Sequence, residues 1–237
     1  MVDYTKVPTQ YMTDVEKEDA MRSVFRSVYG WMTMGLLVSG LTAWYTVQSG
    51  LYRTVMAPPW FWVCLIAEFA LVIGLSAGIR ALSAGVASLM FVLYSVVNGL
   101  TLSVIFLAYT RSSIQSVFFI AAGMFAGLAL IGSMTRKNLS GIGATCGMAL
   151  WGVILVMVVN LFTKSARIDW ALSLVGVVLF SGLTLWDAQK IRILARLSVE
   201  EGGSADIKKA SIIGALQLYL DFINLFLSLL RIVGKRR

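Results

Sequence analysis

Two aspartates, Asp187 and Asp221, lie in stretches that are otherwise apolar. Asp221 is in the middle of "LYLDFINLF", residues 218–226, and Asp187 is in "LTLWDAQKI", residues 183–191. An ionised carboxylate at the centre of a membrane span costs roughly 2.5–3.5 kcal/mol on insertion scales. Two carboxyls that approach each other in a low-dielectric site cannot both ionise cheaply, so they share one proton. The sequence therefore predicts a paired proton sensor, provided that the two helices run alongside one another.

Four polar residues follow one another along the last apolar stretch at spacings of four, three and four: Gln217, Asp221, Asn224 and Ser228. At about 100° per residue they occupy one sector of roughly 60°. We expect this stripe to face the interior of a helix bundle, with Gln217 and Asn224 as candidates for lining an ion pathway. The alternative is that the amides and the hydroxyl only hydrogen-bond neighbouring helices.

Three further residues are candidates for the same site. Glu68 is a second acid within an apolar span, and Asn98, in "VVNGLTLS", adds an inward-facing oxygen. Arg80, at the end of the second predicted span, is the candidate cation facing the pair, and the alternative is an ordinary loop charge. Oxygen ligands and negative charge suit a hard cation, so Asp187 and Asp221 are predicted to bind one transiently.

The composition places these residues in a membrane protein. The chain is 58% hydrophobic and 14% charged, whereas soluble domains average about 25% charged residues. The net charge of +8 comes from lysines and arginines between apolar blocks, which indicates positive loops and not a nucleic-acid-binding surface. Because the chain has no histidine, proton chemistry must use carboxylates. We expect no enzymatic activity and no resident cofactor.

The apolar blocks predict an all-α integral membrane protein, a single bundle of seven transmembrane helices with the last helix central. A span needs about 20 residues, and we assign the predicted spans to residues 28–47, 60–79, 84–108, 114–134, 142–162, 168–189 and 211–232. The domains are then a polar N-terminal tail (1–27), the transmembrane domain (28–232) and a basic C-terminal tail (233–237). Residues 190–210 form the longest connection. The glycine pairs Gly74/Gly78, Gly123/Gly127 and Gly143/Gly147 predict close helix contacts.

The basic residues favour a cytoplasmic N-terminus. With seven full spans, twelve of the 20 lysines and arginines fall on the N-terminal side and eight on the other. If the last helix were re-entrant, the basic tail would join the first group and the count would become 16 to 4. The side of the C-terminus is therefore left open by the sequence.

Four stretches resemble one family of membrane proteins. "LYLDFINLFLSLLRI" (218–232), "WDAQKI" (186–191), "NGLTLSVIF" (98–106) and "AEFALVIGLSAGIR" (67–80) are similar to the bacterial branch of the Bax inhibitor-1 (transmembrane Bax inhibitor motif) family. The resemblance extends from about residue 28 to the end of the chain. The motif around Asp221 is the specific one, and the others support it.

The resemblance implies a seven-helix fold, with the last helix at the centre of two three-helix layers, and a pH-sensitive calcium leak. Asp187 and Asp221 match the family's paired-aspartate proton sensor, and Arg80 matches its latching arginine. The implied location is the bacterial inner membrane. The expected partners are the lipid bilayer, calcium ions as the permeant species and other membrane proteins, with no nucleic acid.

Three functions remain open from the sequence. The first is a passive cation path through the bundle. The second is an intramembrane aspartyl protease, since two aspartates on adjacent helices could activate water; such enzymes carry GxGD at the second aspartate, whereas this chain has "LYLDF". The third is a non-transporting regulator that binds a membrane protease or a cell-death factor.

Overall fold

The computed structural model describes the backbone of residues 14–79, 81–201 and 204–237, with side chains for residues 18–79, 81–196 and 207–237. These residues form helices, and the one β pairing among them is an isolated bridge between Tyr109 and Arg236. The predicted all-α class is therefore confirmed for this part of the chain. The helices are α1 (Asp14–Gln48), α2 (Tyr52–Val55), α3 (Pro58–Gly78), α4 (Ala84–Ala108), α5 (Arg111–Met134), α6 (Ser140–Thr163), α7 (Ala166–Glu201) and α8 (Ser204–Val233).

Within the described residues, six helices, α3 to α8, contain stretches long and apolar enough to cross a membrane. Their bounds agree with the second to seventh predicted spans to within a few residues at most ends, because hydrophobic runs of this length are dictated by the bilayer. The first predicted span lies within α1, where glycine, serine, threonine, tryptophan and tyrosine lower the mean hydropathy. The count of seven spans therefore stays a prediction. α1 begins at Asp14, inside the segment that the sequence assigns to a polar tail.

The sequence predicts a loop at residues 190–210. This prediction is wrong for the residues of that segment that the structure describes. α7 continues to Glu201 and α8 begins at Ser204, so helix occupies most of the predicted loop. The physical reason is amphipathic spacing: Ile191 and Ala195, four residues apart, are both buried. α7 has 36 residues and is about 54 Å long, well beyond the roughly 30 Å of hydrocarbon.

The chain divides into two compact units. Unit 1 contains Met1–Ala108 and Ile191–Tyr219, and in it α4 packs against both α1 and α3. Two glycines allow α1 and α4 to approach: a Cβ on Gly35 would lie 2.7 Å from the ring of Phe91, and one on Gly99 would lie 2.6 Å from the Ser39 carbonyl. Tyr219 is completely buried, with its ring edge-to-face on Phe91 at 6.0 Å.

Unit 2 contains Tyr109–Lys190 and Leu220–Arg237. Its aromatic core is formed by Phe222 of α8 against Phe118 and Phe125 of α5, with ring centroids 5.5 and 5.6 Å apart in edge-to-face geometry. α7 approaches α8 where Gly176 faces the hydroxyl of Ser228. These contacts hold α5, α7 and the C-terminal part of α8 together.

A polar cluster within unit 2 closes the short turn between α6 and α7. Lys164 adopts the left-handed conformation, with φ of 49°, and ends α6. The Asn160 side chain accepts hydrogen bonds from the Ser165 amide (3.0 Å) and the Thr163 hydroxyl (2.8 Å). Its amide nitrogen donates to Asp169 at 2.6 Å. The turn therefore has its own polar partners and needs no water at that point.

The C-terminal tail is fastened to the start of α5. The Thr110 amide donates to the Lys235 carbonyl (3.1 Å), and the Lys235 amide donates to the Ser113 hydroxyl (2.8 Å). The Arg236 guanidinium lies 6.0 Å from the centre of the Tyr109 ring. The C-terminal tail and the start of α5 therefore lie together.

We therefore predict that the C-terminal tail and the start of α5 lie on the same side of the membrane. In a background lacking Cys64 and Cys146, Ser112→Cys and Arg237→Cys should react with an impermeant maleimide from one side. Asn138→Cys, between α5 and α6, should react from the other. Labelling of Arg237→Cys together with Asn138→Cys would show that the tail contact does not form in the membrane.

Candidate functional site

The segment of α7 that carries Asp187 is held by close glycine contacts. A Cβ on Gly132 of α5 would overlap the backbone carbonyl of Leu185, and a Cβ on Gly143 of α6 would overlap the indole of Trp186. A Cβ on Gly182 of α7 itself would lie 2.6 Å from the sulfur of Cys146. Residues 182–186 are thus packed directly against α5 and α6, which fixes the position of the next residue, Asp187.

Gln189 extends this attachment beyond Asp187. Its side-chain oxygen accepts a hydrogen bond from the Leu139 amide at 2.9 Å, and its nitrogen donates to the carbonyls of Lys137 (2.8 Å) and Thr135 (3.5 Å). The Gln189 side chain is buried. It satisfies backbone groups of the α5–α6 connection and fastens that connection to α7. No sequence pattern singles out Gln189, because a glutamine near a predicted helix end is typical of a surface position.

Asp187 and Asp221 are brought together in unit 2, as the sequence predicts. Both are buried, with 7% and 4% of their surfaces exposed, and their carboxyls lie within hydrogen-bonding reach of each other. Oδ1 of Asp187 and Oδ2 of Asp221 have no hydrogen-bond donor among the described residues. A buried carboxylate oxygen without a donor is strongly disfavoured. A proton held between the carboxyls, or a cation, would satisfy these oxygens.

A cation that was not among the predicted site residues lies beside the pair. The Lys190 ammonium is close enough to interact electrostatically with both carboxyls, and it lies 5.0 Å from the centre of the Trp186 ring. Asp187 and Lys190 are three residues apart, so they share a helix face. The spacing of Asp187 and Lys190 within "WDAQK" is the sequence signal that could have identified Lys190 as a neighbour of the pair. Arg80, the predicted latch, lies outside the described residues.

Glu68 and Asn98, two of the ion-pathway candidates, lie together in unit 1. Oε1 of Glu68 accepts a hydrogen bond from the Thr101 hydroxyl at 2.6 Å, and the Asn98 side chain lies near this carboxyl. Oδ1 of Asn98 accepts from the Tyr219 hydroxyl at 2.8 Å, and that hydroxyl lies 2.6 Å from Oγ of Ser39. The Thr101 hydroxyl also lies 2.9 Å from the Asn98 backbone carbonyl, so polar contacts lead from the buried interior of the unit to Glu68.

The other members of the predicted α8 stripe have different surroundings. Ser228 is buried with Asp221, as expected for an inward-facing stripe, but the Asn224 amide donates to the Leu220 carbonyl of its own helix at 2.8 Å. Oε1 of Gln217 is buried without a donor among the described residues. Phe222 and Leu225, on other faces of α8, are also buried, so the stripe is not the only inward side of this helix.

The Asp187–Asp221 pair supplies only part of the ligand set that a calcium ion takes. Calcium takes six to eight oxygen ligands, and the described residues contain no group of three or more acidic, histidine or cysteine side chains that could hold a metal ion. Two carboxylates supply charge and part of a coordination shell.

The helices and the buried carboxyl pair define an integral membrane protein with ionisable groups inside its spans. The chain belongs to the Bax inhibitor-1 family: residues 21–237 match the family described as "Inhibitor of apoptosis-promoting Bax1". The resemblance proposed from the four sequence motifs is therefore confirmed.

Relatives from several bacteria match over nearly the whole chain. The inner membrane protein YbhL of Escherichia coli is 44% identical over 225 residues, which cover 94% of this chain and 96% of YbhL. A protein of Borreliella burgdorferi is 36% identical over 95% of this chain and 98% of its own length. Protein RP147 of Rickettsia prowazekii is 34% identical over the full length of both chains. These similarities, with the six apolar helices, confirm the predicted inner-membrane location.

The glycine contacts behind Asp187 generate a stability prediction. Gly132→Ala introduces a methyl group against the backbone of α7, and overpacking of this kind typically costs about 1–3 kcal/mol. Such a loss corresponds to a decrease in Tm of roughly 2–12 °C for a protein of this size. Thermal unfolding of the purified protein, followed by intrinsic tryptophan fluorescence, measures it.

Gly127→Ala is the matched control on the same helix. Nothing lies within 4 Å of a Cβ at Gly127, and alanine is the better helix former by up to about 1 kcal/mol. The Tm of Gly127→Ala should therefore stay equal or rise. Equal losses of stability in both variants would contradict the close contact between α5 and α7.

Proposed function

We propose that this protein is a pH-sensitive calcium leak channel of the bacterial inner membrane, with Asp187 and Asp221 as its proton sensor. The observation that carries the proposal is the burial of two carboxyls within mutual reach in unit 2, where one oxygen of each has no donor among the described residues. Membership in the Bax inhibitor-1 family supports it. In this proposal the protein is not an enzyme and holds no cofactor, and calcium is its cargo.

The mechanism follows from the charge of the pair. With one shared proton, the carboxyls carry one negative charge, which Lys190 balances. Loss of that proton leaves a second negative charge in a low-dielectric region, which either drives the carboxylates apart or attracts a hard cation. Occupancy by protons and occupancy by calcium are therefore mutually exclusive, and this exclusion couples ion passage to pH.

The architecture that we propose for this channel has seven spans, with α1 as the first and α8 at the centre. Two-thirds of the most apolar stretch of α8 is buried, against 6–39% for the other five spans, which supports a central position. α1 exposes Leu37, Leu41 and Trp44, a surface suited to lipid. The distribution of basic residues supports a cytoplasmic N-terminus.

A second candidate function is a non-transporting regulator that binds other membrane proteins. The description of the family, "Inhibitor of apoptosis-promoting Bax1", favours it, since inhibition of another protein requires only a binding surface. An intramembrane protease is a third possibility that the carboxyl pair permits. Calcium flux through the purified protein separates the first candidate from the other two.

We predict that replacing either aspartate of the pair removes the pH dependence of calcium flux. In proteoliposomes loaded with a calcium indicator, Asp187→Asn and Asp221→Asn should each lose it, because the remaining acid no longer shares a proton. The double variant should resemble either single variant, since partners in one interaction are not additive. If the calcium flux of both single variants keeps the wild-type pH midpoint, the pair is not the sensor. Glu68 would then be tested next.

Asp169→Asn is the matched control for the loss of one carboxylate. Asp169 is also on α7 in unit 2, but its side chain accepts a hydrogen bond from Asn160 at the α6–α7 turn. Its replacement should leave the pH profile of calcium flux unchanged. A change as large as that of Asp187→Asn would indicate a general effect of charge on the protein.

The proposed latch generates a separate prediction. If Arg80 pairs with Asp187 in the closed state, Arg80→Ala should raise the leak at a pH where the wild-type channel is closed, because the carboxylate loses one of its two cationic partners. Arg80→Lys keeps the charge and should retain most of the closure. Flux equal to wild type from about pH 5 to about pH 9, a range that brackets the titration of buried carboxyls in proteins, would leave Arg80 an ordinary loop charge.

A further inference from the structure

The feature of unit 2 that the proposed function does not explain is the resting position of Lys190. Its ammonium lies over the face of Trp186, 5.0 Å from the ring centre, which is within the range of a cation–π interaction. It also interacts electrostatically with both Asp187 and Asp221. Oδ1 of Asp187 and Oδ2 of Asp221 nevertheless accept no hydrogen bond from it. The ammonium is thus held beside the carboxyl pair without occupying it.

Trp186 is held in place from behind. Its indole lies directly on Gly143 of α6, where any side chain would overlap the ring. The ring therefore has little freedom, whereas the lysine side chain has four rotatable methylenes and a compact ammonium with three donors. Because Lys190 and Asp187 are on the same face of α7, rotation of the lysine stem alone can move the ammonium from the ring to the carboxylates.

We infer that Lys190 is a tethered cation that competes with calcium for the Asp187–Asp221 pair, with the face of Trp186 as its resting place when the pair is otherwise occupied. This inference rests on the proposed function, because it names a competitor for the same site. A second group in electrostatic contact with the pair is Cys146 of α6, beside Asp221. Cys146 carries no positive charge, so it does not compete.

This competition predicts opposite changes in calcium affinity when Lys190 and when Trp186 is replaced. Lys190→Met keeps the length of the stem but removes the charge, so calcium should bind the pair more tightly. Trp186→Leu removes the resting place, so the ammonium should spend more time on the carboxylates and calcium should bind more weakly. In the double variant the competitor is absent, and the affinity should return to that of Lys190→Met.

The experiment is a calcium titration of the purified, full-length protein in nanodiscs by isothermal calorimetry, at one fixed pH. Lys190→Met should tighten calcium binding roughly tenfold, the scale of one nearby like charge in a partly screened site. Lys190→Arg should stay close to wild type. The order of affinities Lys190→Met, wild type, Trp186→Leu would support the inference, and so would a double variant equal to Lys190→Met.

Two results would overturn the inference and are distinguishable from each other. If the wild-type protein binds calcium, Asp187→Asn loses binding and Lys190→Met equals wild type, then the site exists but Lys190 does not compete for it. If the wild-type protein binds no calcium, the proposed function fails and this inference fails with it. Since Lys190→Met retains the apolar stem, the test does not depend on the folding of Trp186→Leu.

Discussion

The structure of unit 2 depends on the constraint that two carboxyls buried inside an apolar region need partners. Asp187 and Asp221 are nearly fully buried, and an isolated ionised carboxylate in such surroundings would cost several kcal/mol. Proximity to each other would let one proton serve both, and the Lys190 ammonium lies beside them, over the Trp186 ring. The packing of α5, α6 and α7 around residues 182–189 holds these groups in their relative positions.

Individual glycines allow this close packing of helices, and sequence spacing alone does not identify which glycines they are. The GxxxG pairs predicted close contacts at both members, yet Gly123, Gly127 and Gly147 have nothing within 4 Å of a Cβ. Gly143 is in tight contact, and so is Gly132, which belongs to none of the pairs. Spacing shows which residues share a helix face, but which face meets a neighbouring helix is decided by the tertiary packing.

Hydropathy predicted the six apolar spans well because the bilayer imposes their length, and the cost of buried charge identified the two aspartates. The helical continuation of α7 beyond the membrane was missed, because its amphipathic pattern around Ile191 and Ala195 was outweighed by the charges of residues 190–210. Lys190 was missed for a related reason: a lysine near a predicted helix end is typical of a loop charge. Its position beside the pair became visible only when Trp186 and the two carboxyls were placed around it.

The acids of the two units are satisfied in different ways, which indicates what each can do. Glu68 accepts a hydrogen bond from Thr101 and lies near Asn98, which in turn accepts one from Tyr219, so polar groups of unit 1 surround this carboxyl. The pair in unit 2 has oxygens that accept no hydrogen bond from the described residues. A proton or a cation would satisfy those oxygens. The pair is therefore the stronger candidate for a proton or cation site, whereas Glu68 has partners within the fold.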